Sequence, residues 1–316
     1  MNIIGRKKIF FSLSGALVVM SVLGLFFWGL NLGIDFTGGS LLEIEYIQNR
    51  PKINEIKNKL EDLNLGDISV QPIGEKGVLL RFKSVSEEMH EKILKKLKGD
   101  IEIDSNFSEQ GKEVIKSVEA SGKEVLIEKR FDSVGPVIGE ELKQKTIYAI
   151  FIALVIIVAY IAWAFRKVSH PISSWKYGVI AIVALFHDIL ITLGVFVFLG
   201  KFFNVEVNAP FVAALLTILG YSVNDTIVIF DRIRENLKNY NYDFEDTVNR
   251  SVNQNLIRSV YTSVTTLLVL LSLYFFGGET IKSFVLALIV GVVVGTYSSI
   301  FLASPLLVVW EKFKKR

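Results

Sequence analysis

The sequence predicts an α-helical membrane protein with six transmembrane helices and one α+β domain inserted between the first and the second. Three observations predict it. The 316 residues are 51% hydrophobic with a mean hydropathy of +0.44, unlike an ordinary soluble domain. Six apolar runs are each long enough to cross the hydrocarbon core of a bilayer. Between the first two runs lies a stretch, 33–143, rich in Lys, Glu and Asp and lacking any spanning run.

Composition also excludes several chemistries. The chain has no cysteine, which removes disulfides, dithiol redox chemistry and thiolate metal sites. Its three histidines show no metal-ligand spacing, and there is neither a phosphate-binding Walker loop nor a dinucleotide fingerprint. A net charge of +3 is too small to argue for nucleic acid. No cofactor is expected.

In chain order, residues 1–8 form a basic N-terminus carrying Arg6-Lys7-Lys8, followed by the first span, 9–32. That run is longer than a signal-peptide core of roughly 7–15 residues, and no A-x-A cleavage site follows, so it reads as a retained anchor. In the 33–143 domain, Leu42 to Ile47 alternates as a half-buried strand does. Pro51 opens an amphipathic helix with Ile53, Ile56 and Leu60 at helical spacing. Ile68–Gln71 and Val78–Phe82 read as strands joined by a Gly-Glu-Lys-Gly turn, and Ser86 caps a helix carrying Met89, Ile93, Leu94 and Leu97. Further strands are expected near Ile101–Ile103, Val114–Val118 and Glu124–Phe131. The order strand–helix–strand–strand–helix–strand predicts a ferredoxin-like sandwich extended by a hairpin.

Five spans follow within 144–310, at about 146–165, 177–199, 210–230, 257–276 and 284–309, and 311–316 closes the chain. Arg166, Lys167 and Lys176 lie between spans two and three. Arg232, Arg234, Lys238 and Arg250 lie between four and five, and Lys312, Lys314, Lys315 and Arg316 end the chain. The opposite short loops hold only Lys201 and Lys282. The positive-inside rule then places both termini in the cytoplasm and the inserted domain outside.

Span four contains an expensive residue. Asp225 lies past the middle of an apolar run, where a carboxylate costs roughly 2.5–3.5 kcal/mol on insertion scales. Thr217, Tyr221, Asn224 and Asp225 share one helix face. Span five opens on Arg258 and continues through Thr262, Thr265 and Ser272. Across an antiparallel hairpin Arg258 is within reach of Asp225, which sits about 8–10 Å above the cytoplasmic end of its span at 1.5 Å per residue. Pairing favours the charged carboxylate and desolvation the neutral one, so a group held between them is suited to carrying a proton. The competing reading is polar glue between helices. His187-Asp188, in the middle of span three, either joins this network or makes a local hydrogen bond. Span six carries Ser283, Ala287, Gly291, Gly295, Ser299 and Ala303 at a period of four, a small-residue stripe read as a helix-packing seam. His90 and His170 are read as bland.

Several of these segments together resemble a known family. They are Asp35-Phe36-Thr37-Gly38-Gly39, Ser133-Val134-Gly135-Pro136, His187-Asp188, and Gly220-Tyr221-Ser222-Val223-Asn224-Asp225-Thr226 through Asp231-Arg232-Ile233-Arg234-Glu235-Asn236. Over nearly its whole length the chain resembles the SecF subunits of the SecD–SecF family. These accompany the bacterial protein-export channel and belong to the resistance–nodulation–division superfamily. The resemblance implies no enzyme and no cofactor. It implies an accessory of the Sec translocase in the cytoplasmic membrane that draws on proton flow, or sodium, to assist translocation. It implies SecD, the SecYEG channel, a preprotein and lipid as partners. It assigns the proton relay to Asp225 and Arg258; the helix faces read above add Tyr221, Asn224, Thr262, Thr265, His187 and Asp188 as the supporting polar network. Two other functions remain open: a structural subunit that only holds SecD, and an intramembrane aspartyl protease using Asp188 and Asp225. The second lacks the GxGD pattern such enzymes carry.

Overall fold

The computed structural model describes residues 1–47, 50–98, 126–164, 174–239 and 243–314. The chain divides into two compact units, one of Met1–Leu32 with Lys145–Arg316 and one of Gly33–Gln144.

The smaller unit is built on a four-stranded antiparallel sheet, β1 (Gly39–Tyr46), β2 (Ser69–Ile73), β3 (Gly77–Phe82) and β4 (Leu126–Val134), in the order β2-β3-β1-β4. The alternation read from Leu42 holds: Leu42, Ile44 and Tyr46 are buried while their neighbours are half exposed. They meet Ile56 and Leu60 of helix α3 (Ile53–Leu60) and Ile93 and Leu97 of helix α4 (Glu87–Lys98) in one apolar core. Helix α3 starts two residues after Pro51. Lys52 is in extended conformation and forms the N-cap, with the Glu55 carboxylate accepting from its backbone N–H. His90 lies inside this core, its ring stacked on Phe131 at 3.7 Å and its Nδ1 at 2.9 Å from Glu87. The strands expected near 101–103 and 114–118, and the hairpin they imply, lie outside the described residues.

The first chain segment of this unit explains its glycines. A short helix, α2 (Ile34–Thr37), ends at Gly38 with φ +71°, followed by Gly39 with φ +124°. A Cβ on Gly38 would lie 2.8 Å from the Cα of Pro136, the first residue of helix α5 (Pro136–Ala164). Only glycine suits both the backbone and the space there.

Six helices are long and apolar enough to cross a membrane: Ile4–Phe27, Pro136–Ile161, Trp175–Phe203, Ala209–Lys238, Phe244–Phe276 and Ile281–Phe313. The first contains α1 (Lys7–Phe27), and the second falls within α5. The third, fourth and fifth correspond to α6 (Ser174–Phe203), α7 (Ala209–Asn239) and α8 (Phe244–Phe276). Helices α7 and α8 overrun the apolar runs 210–230 and 257–276, because hydropathy marks only the segment that belongs in hydrocarbon. Polar residues such as Arg232, Glu235 and Asn249 continue the same hydrogen-bonded helices past it.

The sixth span expected at about 284–309 falls within the helical run Ile281–Phe313, in which α9 (Glu279–Ser298) passes through a π-helical turn, Ser299–Ala303, into α10 (Ser304–Lys314). Pro305 accounts for the change, since it lacks an N–H and its ring would crowd the carbonyl four residues earlier. The Ser304 hydroxyl donates to the Ser299 carbonyl, five residues back, at 3.0 Å.

Candidate functional site

Helix α7 carries Asp225 toward α8, where carboxylate Oδ1 accepts the Ser259 hydroxyl at 2.6 Å. The second oxygen, Oδ2, is buried and has no hydrogen-bond partner among the described residues. One turn along α8 from Ser259, the Ser263 hydroxyl lies 3.3 Å from Tyr221 of α7 and 2.5 Å from Thr296 of α9. Three helices are thus tied by hydroxyls immediately beside the carboxylate. Ser259 and Ser263 are both buried.

Arg258 sits on the exposed flank of α8, near enough to act on Asp225 through its charge. It makes no ion pair with Asp225 within 4 Å, so the contact on the carboxylate is the neighbouring serine. Arg258 also borders a cleft of about 410 Å³ between α7 and α8, with Val228, Asp231, Arg232, Glu235 and Gln254. Two of its arginines are already occupied. Arg232 bonds Gln254 and Glu235, and Arg234 lies 3.4 Å from Asp231.

The rest of the stripe read along span five is not brought to Asp225. Thr262 and Thr265 are exposed, and their hydroxyls donate to carbonyls of their own helix, Arg258 and Tyr261. Asn224 likewise faces outward from α7, as do Thr217 and Gly220. The helical period explains the division: Ser259 and Ser263 lie one position beyond Arg258 and Thr262, rotated by about 100° onto the inner face.

Asp188 belongs to a second centre. It is 1% exposed and receives His187 Nδ1 at 2.9 Å, Ser222 of α7 and Ser298 of α9 at 2.8 Å. Thr226 and Ser299 join α7 to the π turn beside it at 2.7 Å. His187 Nε2 is buried without a partner among the described residues, and the ring stacks near Tyr297. Ser222 and Asp225 leave α7 three residues apart, so the two centres flank that helix. The small-residue stripe faces α7: a Cβ on Gly291 would lie 2.3 Å from Ile218, and one on Gly295 would lie 2.9 Å from Ser222. Ala287 and Ser299 are fully buried in line with them.

Ser222, Ser259, Ser263, Thr296 and Ser298 were missed in the sequence. Serine and threonine barely lower the hydropathy of a span, and only the helix rotation tells an inward hydroxyl from an outward one. No group of three or more His, Cys, Asp or Glu side chains suited to a metal occurs among the described residues.

Comparison with known proteins adds a second line. Residues 113–313 match the family model described as protein export membrane protein SecD/SecF, C-terminal, and residues 24–46 match the SecD/SecF GG motif. A protein translocase subunit SecF from Thermobaculum terrenum is 43% identical, over 98% of this chain and 94% of that protein. One from Desulfurispirillum indicum is 41% identical, over 95% and 88% respectively. The crystal structure of SecDF, a translocon-associated membrane protein from Thermus thermophilus, superposes with a TM-score of 0.78 at 33% identity. The match covers all of this chain but only 39% of that one.

Proposed function

The chain belongs to the SecD/SecF family of protein-export membrane proteins, and from that premise we propose that it is an accessory subunit of the Sec translocase that couples ion flow to preprotein movement. The observation that carries this is Asp225, whose carboxylate is half satisfied by Ser259 and half bare, beside an arginine and a polar cleft. A group so placed has one oxygen fixed and one free to take a proton. The cleft, lined by Asp231 and Glu235, offers its route to the cytoplasm.

In this account the chain spans the bacterial cytoplasmic membrane with both termini inside and the Gly33–Gln144 unit outside. The placement follows from its basic loops. The strand order β2-β3-β1-β4, antiparallel throughout, supports a ferredoxin-like assignment for that unit. SecD is the partner. Thr217, Gly220 and Asn224 of α7 and Arg258 and Thr262 of α8 make a polar outer face, costly against lipid and suited to another chain. The much longer SecDF chain, of which this one spans 39%, supports SecD as its occupant. One charge crossing 100 mV supplies about 2.3 kcal/mol, enough to bias a two-state orientation of the outer unit by about fifty-fold. The channel, SecYEG, and the preprotein complete the assembly. No step requires bond cleavage or a cofactor.

Asp225→Asn tests the proposal in vesicles holding the chain, its partner and the channel at matched assembly. Gradient-dependent stimulation of export is expected to vanish while complex recovery stays normal. Recovery that falls, with stimulation per complex intact, favours a subunit that only holds SecD.

A further inference from the structure

Ser259 departs from the rule its helix otherwise follows. A serine or threonine inside a helix ordinarily returns its hydroxyl to a carbonyl one turn back. On α8, Thr262, Ser263, Thr265, Thr266 and Ser272 all do so. The Ser259 hydroxyl instead crosses to Asp225 Oδ1 at 2.6 Å, and Ser259 is 3% exposed. Its own carbonyl accepts from Ser263, which in turn meets Tyr221 and Thr296. Ser259 is therefore held at the head of a hydroxyl ladder that joins α7, α8 and α9.

We propose that Ser259 is the positioning residue for the Asp225 carboxylate. Ser263, Tyr221 and Thr296 set its height, so that the state of the carboxyl is felt as a change in the α7–α8–α9 contact. The proposal rests on Asp225 being the proton-carrying group. The chemistry is specific. An ionised Asp225 takes a charge-assisted bond from Ser259 on Oδ1 and leaves Oδ2 open for the incoming proton. Once that proton is bound the carboxyl is neutral and the Ser259 bond weakens, loosening the one side-chain link from Asp225 to α8. Departure of the proton restores it. Arg258, on the exposed flank of α8 beside Ser259, is the charged group of that helix whose field reaches Asp225. Helix α9 presents the neutral Thr296 beside Ser263, and Asp231, Arg232 and Glu235 line the cleft past Val228.

The test is export stimulation against outside pH in vesicles containing the chain, its partner subunit and the channel. Ser259→Ala removes the donor to the ionised form, and the pH of half-maximal stimulation is expected to rise by about one unit. Ser259→Thr restores the wild-type profile, and Ser259→Cys, a weaker donor of similar size, gives a smaller rise. Ser272→Ala, on the exposed face, leaves the profile in place. A purely structural serine would lower the amount of complex without moving the midpoint. An unmoved midpoint in both Ser259→Ala and Ser259→Cys, with Asp225→Asn inactive, overturns this inference alone. Undiminished stimulation in Asp225→Asn overturns the relay itself.

Discussion

Asp225 is held by a hydroxyl where its spacing to Arg258 suggested a guanidinium, and this changes what each residue is expected to do. Arg258 contributes charge from the exposed flank and borders the cleft, whereas Ser259 supplies geometry. Arg258→Ala is accordingly expected to distort the pH profile of export without releasing the carboxylate from α8. An unchanged profile would argue that the two residues are not coupled. Asp225 itself was legible in the sequence because a charge in an apolar run has no cheap explanation. Ser259 was not, because a serine there reads the same whether it bonds its own helix or a neighbour. Gly38 shows the same limit in the Gly33–Gln144 unit. Its pair with Gly39 stood out as a turn, but the Pro136 backbone that makes a side chain impossible there is distant in sequence. Gly38→Ala should destabilise the Gly33–Gln144 unit by more than about 1 kcal/mol, seen as earlier melting or proteolysis of that unit in the intact protein.

At the scale of elements, the stripe on span six was visible as an unbroken period of four, and its neighbour was not. The stripe lies against α7, where Gly291 receives Ile218 and Gly295 receives Ser222. The seam therefore sets how closely α9 approaches the helix that carries Asp225. Gly291→Val is expected to cost about 1–3 kcal/mol by overpacking and to lower thermal stability in detergent. Adding Ile218→Ala should return part of that loss; if the double variant melts no higher than the single one, the seam does not pair these residues. The π turn within span six was legible in principle from Pro305. Hydropathy conceals it, since the residues around that proline are as apolar as those of any continuous helix.

For the whole molecule, six helices are long and apolar enough to cross a membrane, and Gly33–Gln144 forms a compact unit of its own. Both follow from solvent: lipid demands long apolar helices, and a water-exposed unit demands charge. What composition does not encode is rotation, and so the outward face of α7 and α8 emerged only with the structure. Replacing Gly220, on that face, by Trp is expected to reduce recovery of SecD with this chain, with the chain itself still inserted. The central claim is that Asp225 carries the coupling ion. It is tested most directly by proton uptake into vesicles containing the chain and its partner, followed with a pH-sensitive dye under an imposed gradient. The account predicts uptake in the wild type that is independent of sodium and lost in Asp225→Asn; equal uptake in the two proteins, or uptake that appears only with sodium, would contradict it.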